Sequence, residues 1–398
     1  MNIYQITKQL MCLPSMLLIT LSFQGCGGDT PLSQLKEAWS SNNRPEIISG
    51  DDMEFGLQNL PLEGQAQTIG WSDDYWPSFR GGISYRWQDR SYLYTVPSSG
   101  ELASLNVARL SPAEKYDYYM GRFDFPTVQA ERARTQVMRT NRNSPIYDPE
   151  FEIPSWYGLC HGWAPASVNF QEPQPITVQA INGVEVPFGS SDIKALLTYY
   201  QQYKGNRSVK NYFMSERCNE SFKELDEMLK NQEITEEEYH NRRNQGSCKG
   251  VNAGAFHLVL TNELGIKQEP IIADVTRDAE VMNYPIHSYQ TEVLEETEGA
   301  SDTAAAGTVR EVKVRTSIEH SLSTLAKWEA FEPATKKRIY EYVLEIDADG
   351  KIIGGEWVTD ERPDFLWRQT VPEFRGYFKA LETIYQLATQ DNTVIAGN

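Results

Sequence analysis

The sequence predicts an α+β fold in which an antiparallel sheet packs against helices. Two kinds of pattern carry this prediction. Helix starts are marked by capping boxes such as SPAE (111–114), where the serine and the glutamate satisfy free backbone N–H groups. Strand-like stretches at 340–346 and 352–358 flank the turn sequence DADG (347–350), which is typical of a β-hairpin. Helices and hairpins in one chain are typical of the α+β class.

The remaining elements follow in order along the chain. Helices are expected at 111 to about 121, at about 127–140, from 191, after the caps Ser221 and Thr235, and from 372 to about 389. Strands are expected at 255–260, 270–275 and 309–316, with a turn at 262–265 and a mobile acidic loop at 294–307. The DADG turn resembles the start of a calcium-binding loop, but it lacks the remaining ligands, so a simple turn is favoured.

Composition limits the possible partners. A chain of 398 residues can bury a large core, as one large domain or as two smaller ones. The formal net charge of −18 and the isoelectric point near 4.8 argue against nucleic acid as a partner. The 21 Tyr, 15 Phe and 9 Trp residues predict a folded chain rather than a disordered one.

Residues 1–26 have the features of a secretory signal sequence. Lys8 is the only charged side chain, and the apolar stretch 10–23 is shorter than the roughly 20 residues that span a bilayer. The segment ends in LSFQGC (21–26), which resembles a bacterial lipobox with Cys26 as the lipidated first residue of the mature protein. A plain cleaved signal sequence is the alternative.

The same segment predicts a location and a domain boundary. Asp29 does not directly follow Cys26, so we expect an outer-membrane lipoprotein of the bacterial cell envelope, facing the periplasm or the exterior. Without the lipid the protein would be secreted. The polar stretch 27–50 is expected to be a flexible tether, and 51–398 is expected to form the folded domain.

Cysteine usage is informative in an exported protein. Cys12 would leave with the signal sequence and Cys26 would carry lipid, which leaves three cysteines. Cys218 and Cys248 lie 30 residues apart around a helical segment, and we expect them to form a disulfide. Cys160 would then remain free. The alternative is that all three cysteines are reduced and buried.

Cys160 lies in WYGLCHGWAPAS (156–167), where small glycines such as Gly158 stand close to the thiol. The small neighbours leave backbone amides open, and Trp156 and Trp163 supply apolar walls that could exclude water. A thiolate in this setting suits attack on a carbonyl carbon, provided that a partner removes its proton. A buried structural cysteine is the alternative.

The partner must come from elsewhere in the chain, and His257 is the candidate base. His257 lies near the start of the predicted strand 255–260, and Asp274 ends the returning strand. A hairpin would therefore place the carboxylate beside the imidazole, where it could orient the ring. The order Cys160, His257, Asp274 is that of papain-like and transglutaminase triads. Asp278 is the alternative to Asp274, and a satisfied core histidine is the alternative for His257.

Several motifs in the same order resemble the elicitor-type transglutaminase family of oomycetes and some marine bacteria. They are SPAEKYD (111–117), WYGLCHGWAPAS (156–167), Cys218, Cys248, FHLVL (256–260), ADVTRDAEV (273–281) and GGEW (354–357). The resemblance implies a papain-like, transglutaminase-related core and a triad of Cys160, His257 and Asp274. VMNYPIHSY (281–289) is similar to the segment that plants recognise in oomycete members; the family's Trp is Met282 here, and its Pro is retained as Pro285.

The activity implied by the resemblance is protein-glutamine γ-glutamyl transfer. Cys160 would attack the carboxamide of a glutamine in a donor protein, release ammonia and pass the acyl group to lysine or another amine. The backbone N–H of Cys160 would hold the oxyanion, with Trp156 as a candidate second donor and Gly158 and Trp163 beside the substrate. No cofactor or metal site is expected from the sequence, and a calcium requirement stays open.

Two other functions are compatible with the same residues. A papain-like peptidase or amidase would use the triad with water in place of the amine, so the choice of acceptor alone separates it from a transferase. A catalytically inactive interaction lipoprotein on the cell surface would need none of the triad residues. The presence of Cys160, His257 and Asp274 argues against this third possibility.

Overall fold

The computed structural model describes residues 39–92, 97–205 and 207–390. The predicted signal sequence and the lipidation site Cys26 lie outside these residues. All described residues belong to one compact unit, which begins before the predicted boundary at residue 51. Asn43 and Ile48 are buried in it, and the N–H of Ser215 donates to the carbonyl of Asn42. Residues 39–50 are therefore part of the domain and not of a tether.

The described chain contains ten α-helices and twelve β-strands. The helices are α1 (Glu46–Ser49), α2 (Ser99–Ala103), α3 (Pro112–Tyr119), α4 (Pro126–Thr135), α5 (Cys160–Asn169), α6 (Ser190–Tyr199), α7 (Phe222–Lys230), α8 (Glu236–Asn244), α9 (Ala253–Leu260) and α10 (Lys379–Thr389). The strands are β1 (Glu63–Gln65), β2 (Tyr85–Arg86), β3 (Ser91–Tyr92), β4 (Ile176–Gln179), β5 (Glu185–Phe188), β6 (Asn211–Met214), β7 (Ile271–Asp274), β8 (Asn283–Glu298), β9 (Arg310–Ser321), β10 (Thr335–Ile346), β11 (Ile352–Trp357) and β12 (Phe365–Gln369).

The centre of the fold is an antiparallel sheet. Its strands follow the order β11-β10-β9-β8-β7-β12-β6, and β1 pairs with the middle of β8. The pairs β2–β3 and β4–β5 form two separate small ribbons. The predicted α+β class, with an antiparallel sheet and packed helices, is confirmed. In the part of the chain that the structure describes, no helix is long and apolar enough to cross a membrane.

The sheet separates two apolar cores. Successive residues of a strand point to opposite faces, and on β7 Ile272 packs in the core that contains α5, α6 and α10, whereas Ala273 packs with α9. On β12 the same alternation places Trp367 in the first core and Leu366 in the second. Helices α5 and α9 therefore lie on opposite faces of the sheet.

Local sequence signals identify several elements correctly. Ser111 and Glu114 form the reciprocal capping box at the start of α3. The side chains of Ser221 and Thr235 cap α7 and α8. The predicted hairpin around DADG is β10–β11, paired in antiparallel register. Short-range hydrogen bonding decides these elements, so the sequence is sufficient to find them.

The segment 255–260 is a helix, and its prediction as a strand is wrong. Asn252 caps α9, because its side-chain oxygen accepts the N–H groups of Gly254 and Ala255. The helix continues as a π-helical segment over Thr261–Lys267, where a turn was expected. Every residue of α9 is buried, so no polar face marks the helical period in the sequence.

The acidic stretch from 294 also differs from its prediction as a mobile loop. Strand β8 continues through it to Glu298 and pairs with β9. The charged side chains point to solvent and pair across the strands, as Glu296 does with Arg310 and Glu292 with Arg315. Cross-strand pairs of opposite charge support a strand whose composition alone suggests a loop.

A buried ion pair joins α3 to α6. Lys115 Nζ lies 2.5 Å from Asp192 Oδ2, and neither side chain is exposed to solvent. The indole N–H of Trp87 and the main-chain N–H of Gly189 donate to the same carboxylate. Both oxygens of the Asp192 carboxylate therefore have partners inside the protein.

Removing this carboxylate should be costly. We expect Asp192→Ala to lower the free energy of unfolding by about 3–5 kcal/mol, because the ammonium of Lys115 then stays buried without a counter-charge. Asp124→Ala is the matched control, since it removes the exposed ion pair with Arg122 and leaves both sites hydrated. Urea unfolding measures both variants. Equal stability of the two variants would contradict the expected cost of an unpaired buried charge.

Candidate active site

Cys160 is the first residue of α5, and its side chain is half-buried. The carbonyl of Leu159 accepts the N–H groups of Gly162 and Trp163. The N–H groups of Cys160 and His161 have no backbone acceptor in the described chain, as is usual in the first turn of a helix. The positive end of the α5 dipole therefore lies at the thiol, where it favours the thiolate.

The two glycines beside Cys160 are required by close packing. A Cβ at Gly158 would lie 2.6 Å from the carbonyl oxygen of Tyr75, and one at Gly162 would lie 2.4 Å from that of Thr198. The N–H of Leu159 also donates to Tyr75, at 2.6 Å. Gly158 is expected from the sequence to lie beside the substrate. In the structure it allows the chain before Cys160 to pack directly against Tyr75.

A cleft of ≈ 230 Å³ opens at Cys160. Its walls are aromatic and include Tyr75, Trp156, Trp163 and Tyr284. Trp163 is fully buried, and its indole N–H has no hydrogen-bond partner within the described residues. A free donor in an apolar wall suits a ligand with a carbonyl oxygen, since buried donors are almost always paired.

Asn283, the first residue of β8, is the polar side chain that faces the thiol. Its Nδ2 lies 3.9 Å from Cys160 Sγ, and its Oδ1 accepts the indole N–H of Trp367 at 2.8 Å. Sγ also lies 3.6 Å from the carbonyl oxygen of Val281. The sequence analysis did not identify Asn283; the signal for it is a polar residue directly opposite Asp274 across the β7–β8 pair.

Asp274 lies beside this site at the end of β7. Its Cα pairs with that of Asn283, and its Oδ1 accepts the N–H groups of Thr276 and Met282. Its Oδ2 is buried and has no hydrogen-bond partner among the described residues. Burial raises the pKa of Asp274 to about 7, while its hydrogen bonds oppose this shift. The carboxyl can therefore change its charge near neutral pH.

Opposing effects act on the thiol. Burial raises the pKa of Cys160 above its ordinary value, and the negative charge of Asp274 raises it further. Hydrogen bonds from the side chain and main chain of Asn283 and from the main chain of His161 lower the same pKa. Because burial is the largest effect, Cys160 rests as a thiol and needs a base to react.

The structure does not bring His257 to Cys160. His257 lies in α9, on the face of the sheet opposite α5, and its Nδ1 is 2.8 Å from the hydroxyl of Tyr342. Burial lowers the pKa of His257 to about 4, so the ring is uncharged at neutral pH. The geometry is that of a satisfied core histidine. The triad expected from the sequence depends on a strand at 255–260, and a helix forms there instead.

The alternative aspartate, Asp278, is also separated from the thiol. Asp278 accepts the N–H of Glu280 through Oδ1 and lines a neighbouring cavity instead of the Cys160 cleft. The ring of His161, the residue after Cys160, stacks on Trp367, with 4.1 Å between ring centroids. Of the two aspartates considered, Asp274 is the one that interacts electrostatically with Cys160.

The predicted disulfide between Cys218 and Cys248 is confirmed. The segments on either side of it hold the loop that connects β7 to β8. Arg217 donates to the carbonyl of Ala279, and Arg277 donates to the carbonyl of Cys248. The disulfide therefore braces the loop whose ends form the site around the thiol.

The next feature is the placement of the side chains that commonly bind metal ions in the described part of the protein. There, no group of three or more His, Cys, Asp or Glu side chains is placed to hold a metal ion. In the DADG sequence, Oδ1 of Asp347 accepts the N–H groups of Asp349 and Lys351. This carboxylate stabilises the turn of the hairpin, in agreement with the simple turn predicted from the sequence.

Comparison with known proteins identifies the class. The crystal structure of the GP42 transglutaminase from Phytophthora sojae matches with a TM-score of 0.61 and 22% sequence identity, over 89% of this chain and 99% of that chain. None of the curated proteins compared with the chain matches it. The fold, with a cysteine at the start of a helix beside the sheet, is that of a transglutaminase-like protein.

Comparison of the sequence with models of protein families identifies the family. The sequence model described as transglutaminase elicitor matches residues 147–376, which is more than half of the chain. The chain therefore belongs to the transglutaminase elicitor family. The matched range includes Cys160, Asp274 and Asn283.

Proposed function

We propose that this protein is a protein-glutamine γ-glutamyltransferase. The observation that carries the proposal is Cys160 at the start of α5, in an aromatic cleft with the amide of Asn283 and within electrostatic range of Asp274. Membership of the transglutaminase elicitor family supports the same reaction class. The donor substrate is a glutamine side chain of a protein, and the acceptor is lysine or another primary amine.

In the first half-reaction, Asp274 is the proposed general base. Its carboxylate takes the thiol proton while Sγ of Cys160 attacks the carboxamide carbon. The main-chain N–H of Cys160 donates to the oxyanion of the tetrahedral intermediate. The C–N bond then breaks, and ammonia leaves with the proton returned by Asp274. The product of this step is a thioester between Cys160 and the glutamyl group.

In the second half-reaction, the amine attacks the thioester carbon and gives its proton to Asp274. The C–S bond breaks, the isopeptide product leaves, and the proton returns from Asp274 to Cys160. The aromatic walls of the cleft disfavour water, which would otherwise hydrolyse the thioester. Glu280, an exposed residue that also lines the cleft, would attract a positively charged lysine acceptor.

The direct test is incubation of the purified protein with a glutamine-rich donor protein and a fluorescent primary amine, with calcium and with a chelator. We expect covalent incorporation of the amine and release of one ammonia per amine. Ammonia without incorporation would indicate an amidase, and new chain termini in the donor would indicate a peptidase. An absence of all three products under both conditions would contradict the proposed function.

We further propose that the protein is anchored to the bacterial outer membrane through lipidated Cys26. The short apolar stretch before Cys26 and the lipobox-like sequence motivate this proposal. Two or more acyl chains give stable attachment, whereas one chain gives only weak binding. We expect mass spectrometry of the mature protein from bacterial membranes to identify a diacylated N-terminal Cys26. A soluble mature protein that begins at an unmodified residue would contradict the anchor.

A further inference from the structure

The side chain of Asn283 could present either of two groups to the thiol. Its carbonyl oxygen is an acceptor only, and its NH2 group is a donor only. The indole N–H of Trp367 can only donate, and it lies 2.8 Å from Oδ1 of Asn283. The NH2 group must therefore face Cys160 Sγ, at 3.9 Å. Trp367 thus decides the orientation of the amide.

Trp367 is held in place for this contact. Its ring is 1% exposed, and Asn283 is fully buried, so water cannot replace the indole donor easily. The ring of His161 stacks on it with 10° between the ring planes. Burial lowers the pKa of His161 to about 4, so this stacked ring carries no charge at neutral pH. The contact between Trp367 and Asn283 is a neutral hydrogen bond inside the core.

The orientation of the amide matters because the thiol has two protonation states. The neutral thiol can donate its proton to the carbonyl of Val281, which is 3.6 Å from Sγ. The thiolate can only accept, and the NH2 group of Asn283 is positioned to donate to it. With the amide reversed, Oδ1 would face the thiolate and repel it. Asn283 in the observed orientation therefore favours the thiolate.

The main-chain N–H groups of Asn283 and His161 also act on Sγ, whereas the acidic side chains near it oppose the thiolate. Asp274 on β7 carries a negative charge when ionised and opposes the thiolate. Tyr75 and Tyr284 line the cleft as neutral phenols with raised pKa values. Glu280 at the cleft adds a second carboxylate. In this acidic setting, N–H donors and the α5 dipole are what stabilise a thiolate.

We infer that Trp367 is a positioning residue for Cys160: its indole N–H fixes the amide of Asn283 so that the NH2 group faces the reactive sulfur. Trp367 itself touches neither Sγ nor the substrate cleft in this arrangement. The inference rests on the proposed role of Cys160 as the nucleophile. It assigns a reactivity-setting function to a strand, β12, that comes about 200 residues after the nucleophile.

The test uses Trp367→Phe, which keeps an aromatic ring for stacking and packing but removes the indole donor. The rate of Cys160 alkylation by iodoacetamide is measured against pH, above about pH 8, where Asp274 with its pKa of about 7 is already ionised. We expect the apparent thiol pKa to rise by about one unit, a tenfold loss of thiolate at a given pH below it. The limiting rate at high pH should not change, because the thiolate itself is the same.

The matched control is Trp357→Phe, which removes the indole hydrogen bond to the carbonyl of Val251 on the other side of the sheet. It should leave the thiol pKa at the wild-type value, whatever it does to thermal stability. If both variants lose stability and neither shifts the thiol pKa, Trp367 is only a packing residue and the inference is overturned.

A second variant keeps the inference testable if Trp367→Phe does not fold. Asn283→Ser removes the NH2 group and should raise the thiol pKa in the same direction; an unchanged pKa would overturn the inference. Alkylation does not depend on transferase chemistry, so the two proposals fail separately. A wild-type protein without amine incorporation would remove the proposed function, whereas an unshifted thiol pKa in the variants would remove the role of Trp367.

Discussion

Replacing Cys160 with alanine is expected to lower amine incorporation by at least about 10³-fold, because no thioester can form without the sulfur. The fold should survive, since the Cys160 side chain is small, half-buried and lines the cleft instead of filling an apolar core. Incorporation of a fluorescent amine into a donor protein gives the activity, and thermal unfolding gives the stability.

Ser167→Ala is a matched control in the same helix. The Ser167 hydroxyl donates to the carbonyl of Ala164 and lies away from the cleft, so this variant should keep its activity within a few-fold. Mass spectrometry of the wild type, quenched during turnover, should detect the glutamyl thioester on Cys160. Wild-type turnover by Cys160→Ala would show that the assignment of the nucleophile is wrong.

Asp274→Asn should cause the second largest loss, about 10²–10⁴-fold in kcat, which is the usual contribution of a general base. The substitution is isosteric and keeps an oxygen for the N–H groups of Thr276 and Met282. Asp278→Asn is the control, because Asp278 lies in the same loop without reaching the Cys160 cleft. His257→Gln should lower stability and leave kcat nearly unchanged, since His257 bonds Tyr342 behind the sheet.

The outcome decides between two candidate bases. A large loss of kcat in His257→Gln together with a small loss in Asp274→Asn would restore the Cys-His arrangement and contradict the role proposed for Asp274. Equal losses in Asp274→Asn and Asp278→Asn would point to a general effect of the loop between β7 and β8.

The pH dependence of the activity provides a second test of Asp274→Asn. As a base, Asp274 must be ionised, so wild-type activity should rise as the pH increases through about 7 and should fall below it. In Asp274→Asn this rise should be absent. A rise that persists unchanged in the variant would assign the ionisation to another group.

The contribution of Asp274 to the stability of the wild type should fall over the same pH range in which the activity rises. The folded pKa of Asp274, about 7, is above the ordinary value of 3.8, so the folded protein keeps a proton that the unfolded chain loses. This stabilisation is complete below the ordinary value and is lost as the pH rises through about 7. Asp274→Asn avoids the loss, and we expect its stability relative to wild type to increase from about pH 4 to about pH 8.

Several features were determined by the sequence alone, because they depend on neighbouring residues. Ser111, Ser221 and Thr235 mark helix starts through hydrogen bonds within one turn. The predicted disulfide between Cys218 and Cys248, which leaves Cys160 free, is confirmed. The ordered motifs also point to the transglutaminase elicitor family, which the match over residues 147–376 confirms.

Only the tertiary structure decided which side chains meet at the thiol. The segment 255–260 is apolar throughout, and such a run fits a buried strand as well as a buried helix. As the helix α9 it packs behind the sheet, which removes His257 from Cys160. Asn283 and Trp367 come together because β12 pairs with β7 in a non-sequential strand order. Contacts between residues distant in sequence depend on strand order and on the face to which each side chain points, and neither is encoded in a local pattern.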